Sequence, residues 1–506
     1  MDYNLARKII EDIEAKAAVQ TISYNGRFAW PVIKYHFFFG LLKWGQAGNS
    51  NTIEQKPYTP GFFKKLNAHF GNVSMLVSNY FKAQREFQKL KEAKGNNSVL
   101  FLDVTDAEYV DDMAGKKYSR YISPYYEFMK EKQKVFFINL AEKKSMHAKK
   151  NEPYYFNCGF TLENFQIKNY YNNKFNKSRQ GISGINLIRD AIKNEEYADI
   201  VSEDVLIQDL ELTAAYELLW NEILAILNPK LIVLECFYGN PNYSGLLAAS
   251  KKRKIKSVDL QHGISADQMY MGWTKIPKKG YDLLPDYYWC WSKYDVNNII
   301  SSRQRSSVLS PLLGGNLWFR KQLNETRQNV NNNHIESLIS NGSYKKIMLV
   351  TLQHSIPVSD ILIKAINNSD EDWLWLVKFH PLDFVDPQYR NKYKAAIKDC
   401  RNVEYENTTG ADLYFLLKKV NVHLTHHSTS SVEAISLKVP TILLGSKFET
   451  IFKEFIDSRN FYVAQTESEI LDLIAKDITT DEATFDYFKI ETSEAVADNL
   501  LNQLLN

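Results

Sequence analysis

Cysteine is scarce: four occur in 506 residues (Cys158, Cys236, Cys290 and Cys400), widely spaced and without a metal-ligand pattern. Two of them fall in or beside expected buried strands, which points to a reducing compartment. Charge of one sign is lacking too. The formal net charge of +3 is too small to argue for a nucleic-acid partner. No apolar run reaches the roughly 20 residues that a membrane-spanning helix takes. The most hydrophobic early stretch, Phe28 to Trp44, is interrupted by Pro31, Lys34, His36 and Lys43. It reads as a buried helix, with a helix resting on a membrane surface as the alternative. Met1 to Gln20 is a charged amphipathic helix without an apolar h-region, so no secretory signal is expected and the chain reads as cytoplasmic. Internal repeats and low-complexity tracts are absent as well.

What is present is ordinary for a globular protein: 44% hydrophobic and 24% charged residues. The length exceeds a single core, so two domains with additions are expected. Residues 1–95 read as a helical N-terminal extension, with three- and four-residue apolar spacing over Gly61 to Ala93. Short apolar runs then alternate with helical patterns. Val99–Val104, Lys134–Leu140, Leu231–Glu235, Ile255–Leu260 and Asp286–Ser292 have the pattern of strands covered on both faces. A helix from Glu203 to Leu227 ends at Asn228-Pro229, and another over Tyr243 to Lys252 joins two of the strands as a βαβ unit. Residues 141–200 read as a polar insertion. Leu309-Ser-Pro-Leu-Leu-Gly-Gly-Asn316 opens a polar, Asn-rich segment read as a linker over 311–342. A second alternating series comes after it: Lys346–Gln353, Trp373–Phe379, Val403–Tyr405, Val422–Thr425, Thr441–Gly445 and Phe461–Ala464. The expected fold class is α/β: a doubly wound domain over 96–310 and another over 343–506, facing each other across a cleft.

In open parallel sheets, ligands bind beyond the carboxyl ends of the strands. Seven of the ten histidines lie between His262 and His427, six of them at or near expected strand ends. Glu235, Gln261-His262-Gly263 and Ser292 end strands of the first domain. Gln353 and His354 end the first strand of the second. Trp373-Leu-Trp-Leu-Val-Lys-Phe-His-Pro381 is a hydrophobic strand ending on a cation, an imidazole and a proline. Val422-His-Leu-Thr-His-His-Ser-Thr-Ser-Ser-Val-Glu-Ala434 is a strand that turns directly into a helix. The helix start has free N–H groups and a partial positive charge, suited to an anion such as phosphate.

Three chemistries compete for these histidines. Metal binding by His423, His426 and His427 lacks a completing Cys or carboxylate, and His426 points away from the other two on a strand. Nucleophilic hydrolysis through Ser428 beside His427 lacks the G-x-S-x-G elbow. Anion recognition by imidazole, hydroxyls and helix N–H groups needs no missing part. The D-x-D sequence Asp370-Glu-Asp372 precedes its strand and so stands at the wrong end of the sheet.

Three features recur in order: Gln261-His262-Gly263, Lys378-Phe-His380-Pro381, and His427-Ser428-Thr429 running into Val432-Glu433-Ala434. Over roughly residues 230–450 this set resembles the two-domain GT-B glycosyltransferases that build bacterial capsules and lipopolysaccharides. It looks most like the HP-motif sialyl-, polysialyl- and Kdo-transferases, which use CMP-linked ulosonates. The resemblance implies a nucleotide-sugar donor held by Gln353, His354, Lys378, His380, Pro381, His427, Ser428, Thr429, Ser430 and Glu433. It implies no bound metal and no cofactor. The acceptor would be a surface glycan or glycolipid, reached at the inner membrane face. Glu235, His262 and Asp267 are the candidates for the catalytic base. Glu235 also fits a nucleophile, or a simple ion pair with a lysine. The family's acidic D/E-D/E-G pattern is missing, since Cys236 and Phe237 follow Glu235. A CDP-polyol phosphotransferase of the teichoic-acid type and a non-catalytic nucleotide- or sugar-binding protein are the rival readings. The basic run Lys251-Lys-Arg-Lys254 reads as a solvated helix end, with contact to an anionic membrane as the alternative.

Overall fold

The computed structural model describes residues 3–46, 84–85, 87–93, 98–103, 109–111, 117–139, 155–157, 180–192, 197, 200–263, 269–270, 272–301, 309–324, 329–353, 356–380, 387–446, 449 and 451–506. The chain divides into two compact units. The first comprises residues 1–290, 295–314 and 494–506, and the second residues 291–294 and 315–493.

The first unit is built on a seven-stranded sheet. Its strands are β1 (Ser98–Asp103), β2 (Lys134–Asn139), β3 (Tyr155–Asn157), β4 (Leu231–Glu235), β5 (Lys256–Leu260), β6 (Tyr287–Cys290) and β7 (Ser310–Leu313). All pair in parallel, in the order β7-β6-β5-β4-β1-β2-β3. Every residue of β4 is buried, which explains the unbroken apolar run Leu231–Leu234 ahead of Glu235. The second unit carries a six-stranded parallel sheet of β8 (Lys346–Thr351), β9 (Trp373–Lys378), β10 (Val403–Glu404), β11 (Val422–Thr425), β12 (Thr441–Leu444) and β13 (Phe461–Ala464). Its order is β10-β9-β8-β11-β12-β13. Both sheets are therefore doubly wound with the dinucleotide-fold order 3-2-1-4-5-6, the first extended by one edge strand. The α/β class with two doubly wound domains expected from the sequence is the one observed.

The helices that bear on the strand ends and their support are α1 (Tyr3–Lys16), α2 (Trp30–Gln46), α3 (Glu203–Leu227), α4 (Pro241–Lys252), α5 (Ser430–Ser436) and α6 (Glu494–Leu505). Asn228 ends α3 in the left-handed conformation (φ 42°), its N–H donating to the Leu224 carbonyl at 2.9 Å, and Pro229 prevents continuation. Asn240 caps α4 by accepting from the Asn242 N–H at 3.0 Å, with Pro241 at the first helical position. Helices α3 and α4 touch backbone to backbone at Gly245. A Cβ there would stand 2.6 Å from the Tyr216 Cβ and 2.7 Å from the Glu217 nitrogen, so only glycine fits.

Three expectations change. The N-terminal residues are not an appendage. Ala6, Ile10, Ile13, Trp30, Ile33, Phe37, Phe38 and Leu41 are buried in the core of the first unit, and α2 is the buried helix rather than a surface one. Glu14 and Lys34 form a fully buried ion pair at 2.9 Å. Glu14 also accepts from Trp30 Nε1 (3.0 Å) and from the Thr274 N–H (3.1 Å) and hydroxyl (3.0 Å), while the Lys34 ammonium sits 4.1 Å from the Trp273 ring. Second, the run read as the start of a linker supplies β7. The chain passes between units at Gly314 and Gly315, the latter at φ +81°, and residues 317–324 and 330–341 are helical. Third, α6 belongs to the first unit: Lys132 pairs with Asp498 at 2.6 Å, and Leu500 packs at Gly314. The polar segment 141–200 lies mostly outside the described residues, as does most of 61–93.

Candidate functional sites at the two sheet switch points

A doubly wound sheet opens a crevice where the strand order reverses, at the carboxyl ends of its first and fourth strands. In the first unit that point is β1/β4, and Glu235 is the last residue of β4, 7% exposed. Cys236 follows at φ 59°, a conformation that turns the chain sharply out of the strand. His262, beyond the end of β5, places its Nδ1 4.0 Å from Glu235 Oε1 and keeps 22% of its side-chain surface exposed. Gln261 is buried and structural: its Nε2 donates to the Gly263 carbonyl and to Asp295 Oδ1, both at 2.8 Å.

Beneath His262 lies a polar chain that sequence reasoning missed. The Tyr270 hydroxyl donates to Asp259 Oδ2 at 2.8 Å and stands 3.3 Å from His262 Nδ1. Asp259 is fully buried in β5. Burial raises its pKa well above the usual carboxylate range, against the hydrogen bonds from Tyr270 and from the Phe237 backbone. Aromatic rings enclose the imidazole: Tyr121 at 6.2 Å, Tyr238 at 6.3 Å and Tyr270 at 5.9 Å between centroids. Tyr270 in turn stacks on Tyr288 at 4.2 Å. This surround pushes the His262 pKa down to about 4; a bond to the Leu260 carbonyl opposes the shift, and the nearby Arg120 adds to it. His262 is neutral at pH 7. A readable signal existed for the missed pair, a lone carboxylate inside a strand buried on both faces, which must find hydrogen bonds or protonate.

The second unit's switch point is β8/β11. Gln353 and His427 meet across it, the His427 N–H donating to Gln353 Oε1 at 3.0 Å. His426 Nδ1 lies 2.8 Å from the Leu444 carbonyl, which fixes that nitrogen as the protonated one. His380, Ser428, Thr429 and Glu433 are half-buried around the same carboxyl ends. Glu433 accepts from the Tyr414 hydroxyl at 2.5 Å. His354, Pro381 and Asp267 lie outside the described residues.

Several expected ligand groups are otherwise engaged. The Lys378 ammonium donates to the carbonyls of Ala411 (2.6 Å), Thr409 (2.9 Å) and Thr408 (3.4 Å), and burial pulls its pKa down to about 8. Three acceptors occupy its three protons, so it serves as a strut and its placement lends the donor role no support. Ser430 is 5% exposed and its hydroxyl faces Thr351 (3.0 Å) and His423 (3.3 Å). His423 is fully buried, with Nε2 2.9 Å from the Thr351 hydroxyl and Nδ1 3.1 Å from that of Thr441. Burial drives its pKa down to about 3. It is a satisfied core histidine. The α5 start is also less open than expected. The N–H groups of Ser430, Ser431 and Val432 already donate to Ser428 Oγ (3.2 Å), Ser428 O (3.1 Å) and Thr429 O (3.0 Å). What this turn presents is hydroxyl and imidazole rather than free helix N–H groups.

Asp372 stands immediately before β9 and pairs with Lys345 at 2.6 Å, at the amino end of the sheet as expected. Lys251 pairs with Asp286 and Lys252 with Glu217, so two of the four cations of the basic run are tied to their own unit, and Arg253 and Lys254 are exposed. Among the described residues, no three His, Cys, Asp or Glu side chains gather as a metal-ligand set, and no helix is long and apolar enough to cross a membrane.

No protein-family model and no curated protein matches the chain. Solved structures do show similarity. One is the S. aureus MnaA–UDP co-structure, at 10% identity and TM-score 0.45 over 81% of this chain and 96% of that one. Another is the UDP-GlcNAc 2-epimerase from Neisseria meningitidis bound to UDP-GlcNAc, at 13% identity and TM-score 0.42 over 81% and 99%. A third is the wall teichoic acid polymerase TagF, at 11% identity and TM-score 0.40 over 88% and 97%. These likenesses assign no residue a role.

Proposed function

We propose that the chain is a GT-B-type glycosyltransferase that moves a sugar from a nucleotide donor, a CMP-linked ulosonate in the first instance, to a surface glycan or glycolipid. The observation that carries this reading is the second sheet's 3-2-1-4-5-6 order, with Gln353 and His427 joined across its switch point and His380, Ser428 and Thr429 around it. Nucleotide departure leaves negative charge on phosphate oxygens. Imidazole and hydroxyl donors held by packed strand ends stabilise that charge without reorganising. The first unit supplies the acid–base side, where Glu235 and neutral His262 are the groups able to take a proton from an acceptor hydroxyl. The CMP preference rests on the resemblance of the ordered motifs.

A thermal-shift series with CMP, UDP, GDP and TDP tests the donor assignment. A ligand that binds only the native state raises its apparent stability, so CMP is expected to raise the melting temperature most. A shift with UDP or GDP alone moves the donor class; no shift with any nucleotide removes the donor site.

A further inference from the structure

The chain Asp259–Tyr270–His262 contains one hydroxyl between a carboxyl group and a ring nitrogen, and a hydroxyl has a single proton to give. If Tyr270 donates to Asp259 Oδ2, the 2.8 Å contact, its oxygen is left to accept from His262 Nδ1, the 3.3 Å contact. If Tyr270 instead donates to Nδ1, Asp259 must be protonated and donate to Tyr270, and the ring then carries its proton on Nε2. The two arrangements are alternative directions of one hydrogen-bond chain. The shorter bond is the one to the carboxyl group, at the length of a hydroxyl donating to a carboxylate. That favours the carboxyl as acceptor.

We propose that Asp259, acting through Tyr270, holds the His262 proton on Nδ1 and leaves Nε2 as the nitrogen that takes a proton. The pair are positioning residues, since neither is placed against substrate. The groups facing the imidazole are Glu235, Tyr121, Tyr238, Tyr270, Arg120 and the Leu260 carbonyl. The same chain gives an incoming proton a route. As an acceptor O–H breaks and Nε2–H forms, Nδ1 passes its proton to the Tyr270 oxygen and Tyr270 passes its own to Asp259 Oδ2. The ring ends neutral as the Nε2–H tautomer, and the buried carboxyl ends protonated. An imidazolium enclosed by aromatic rings is disfavoured, and a carboxyl group buried without a cation has a raised proton affinity; both drive the transfer in this direction. The use of this route in turnover rests on the proposed function, whereas the tautomer does not.

The test is ¹⁵N NMR of histidine-labelled protein, which separates protonated from bare ring nitrogens. His262 is expected to carry its proton on Nδ1 at pH 7. Tyr270→Phe keeps the ring that stacks on Tyr288 but removes the hydroxyl, and is expected to shift the tautomer ratio about tenfold toward Nε2–H, the weight of one hydrogen bond. Asp259→Asn, which can neither ionise nor take up a proton, is expected to flatten the pH profile of turnover at its acid side, where protonation of Asp259 closes the route. An Nε2–H ring in the unmodified protein overturns the proposal, as does a ratio unchanged by Tyr270→Phe. A wild-type Nδ1–H ring with no turnover on any nucleotide-sugar would count against the glycosyltransferase reading alone.

Discussion

The two units share a strand order and differ in the polar groups they bury. The first stores ionisable groups: the Glu14–Lys34 pair in its N-terminal helices and Asp259 under His262. The second holds His423, neutral at pH 7, between the hydroxyls of Thr351, Ser430 and Thr441, and ties the Lys378 ammonium to backbone carbonyls rather than to a carboxylate. The same scaffold thus holds a buried carboxyl group at one set of strand ends and a buried neutral imidazole in the other sheet. Buried charge costs stability unless paired, and it is found where proton affinity has to be set. Buried hydroxyl networks cost little when satisfied and hold geometry.

This contrast can be broken at its strongest point. Lys34→Ala strands the Glu14 carboxylate with only the Trp30 and Thr274 donors, and is expected to cost the first unit about 3–5 kcal/mol. In urea titration the first unit should then unfold ahead of the second; a single unshifted transition would show that the pair does not hold α1 and α2 in place. Glu235→Gln and His262→Ala are each expected to lower kcat by about 10²- to 10⁴-fold with nucleotide affinity retained. Full activity in both would move the acid–base chemistry out of the first unit.

The second unit breaks differently. His423→Leu leaves three hydroxyls without their shared partner, at a cost of about 1–3 kcal/mol at pH 7. Its pH dependence is specific. The unfolded chain takes up the His423 proton near 6.5 and the folded one only near 3, so the unfolded state binds more protons between these values. Native stability therefore falls as pH drops from about 6.5 toward 3. His423→Leu should flatten that acid arm, as followed by the fluorescence of Trp373 and Trp375. The smallest expected effect is at His380, where alanine should weaken nucleotide binding about three- to tenfold, the range of a single hydrogen bond. Unchanged affinity for every nucleotide would take His380 out of the donor site.

The strands were legible because burial on both faces writes itself as short apolar runs. Leu231–Glu235, Val422–Thr425 and Phe461–Ala464 were bounded to the residue. That Glu235, Gln353 and His427 stand at strand ends came from the alternation of strands and helices; that these ends are the switch points came only with the strand order. Side-chain direction was not legible. Lys378 ends a strand in sequence, but the carbonyls that capture it come from Thr408 to Ala411, brought close only by the fold. Ser430 has the look of a helix-start donor in sequence, yet its hydroxyl turns inward to His423, seven residues earlier. Periodicity also says that α1 and α2 bury a face without saying against what. Their partners at Trp273 and Thr274 are 239 and 260 residues away in the chain, from Lys34 and Glu14 respectively.

The return of α6 to the first unit bears on the order in which the molecule is made. The chain begins the first unit, leaves it at Gly314, completes the whole second sheet, and comes back with Glu494–Leu505. On a ribosome the second unit thus has its entire sequence before the first does. The seat of Leu500 at Gly314 and the Asp498 partner Lys132 wait uncovered until Glu494–Leu505 has been made. The unit whose strands are made first is closed after the second.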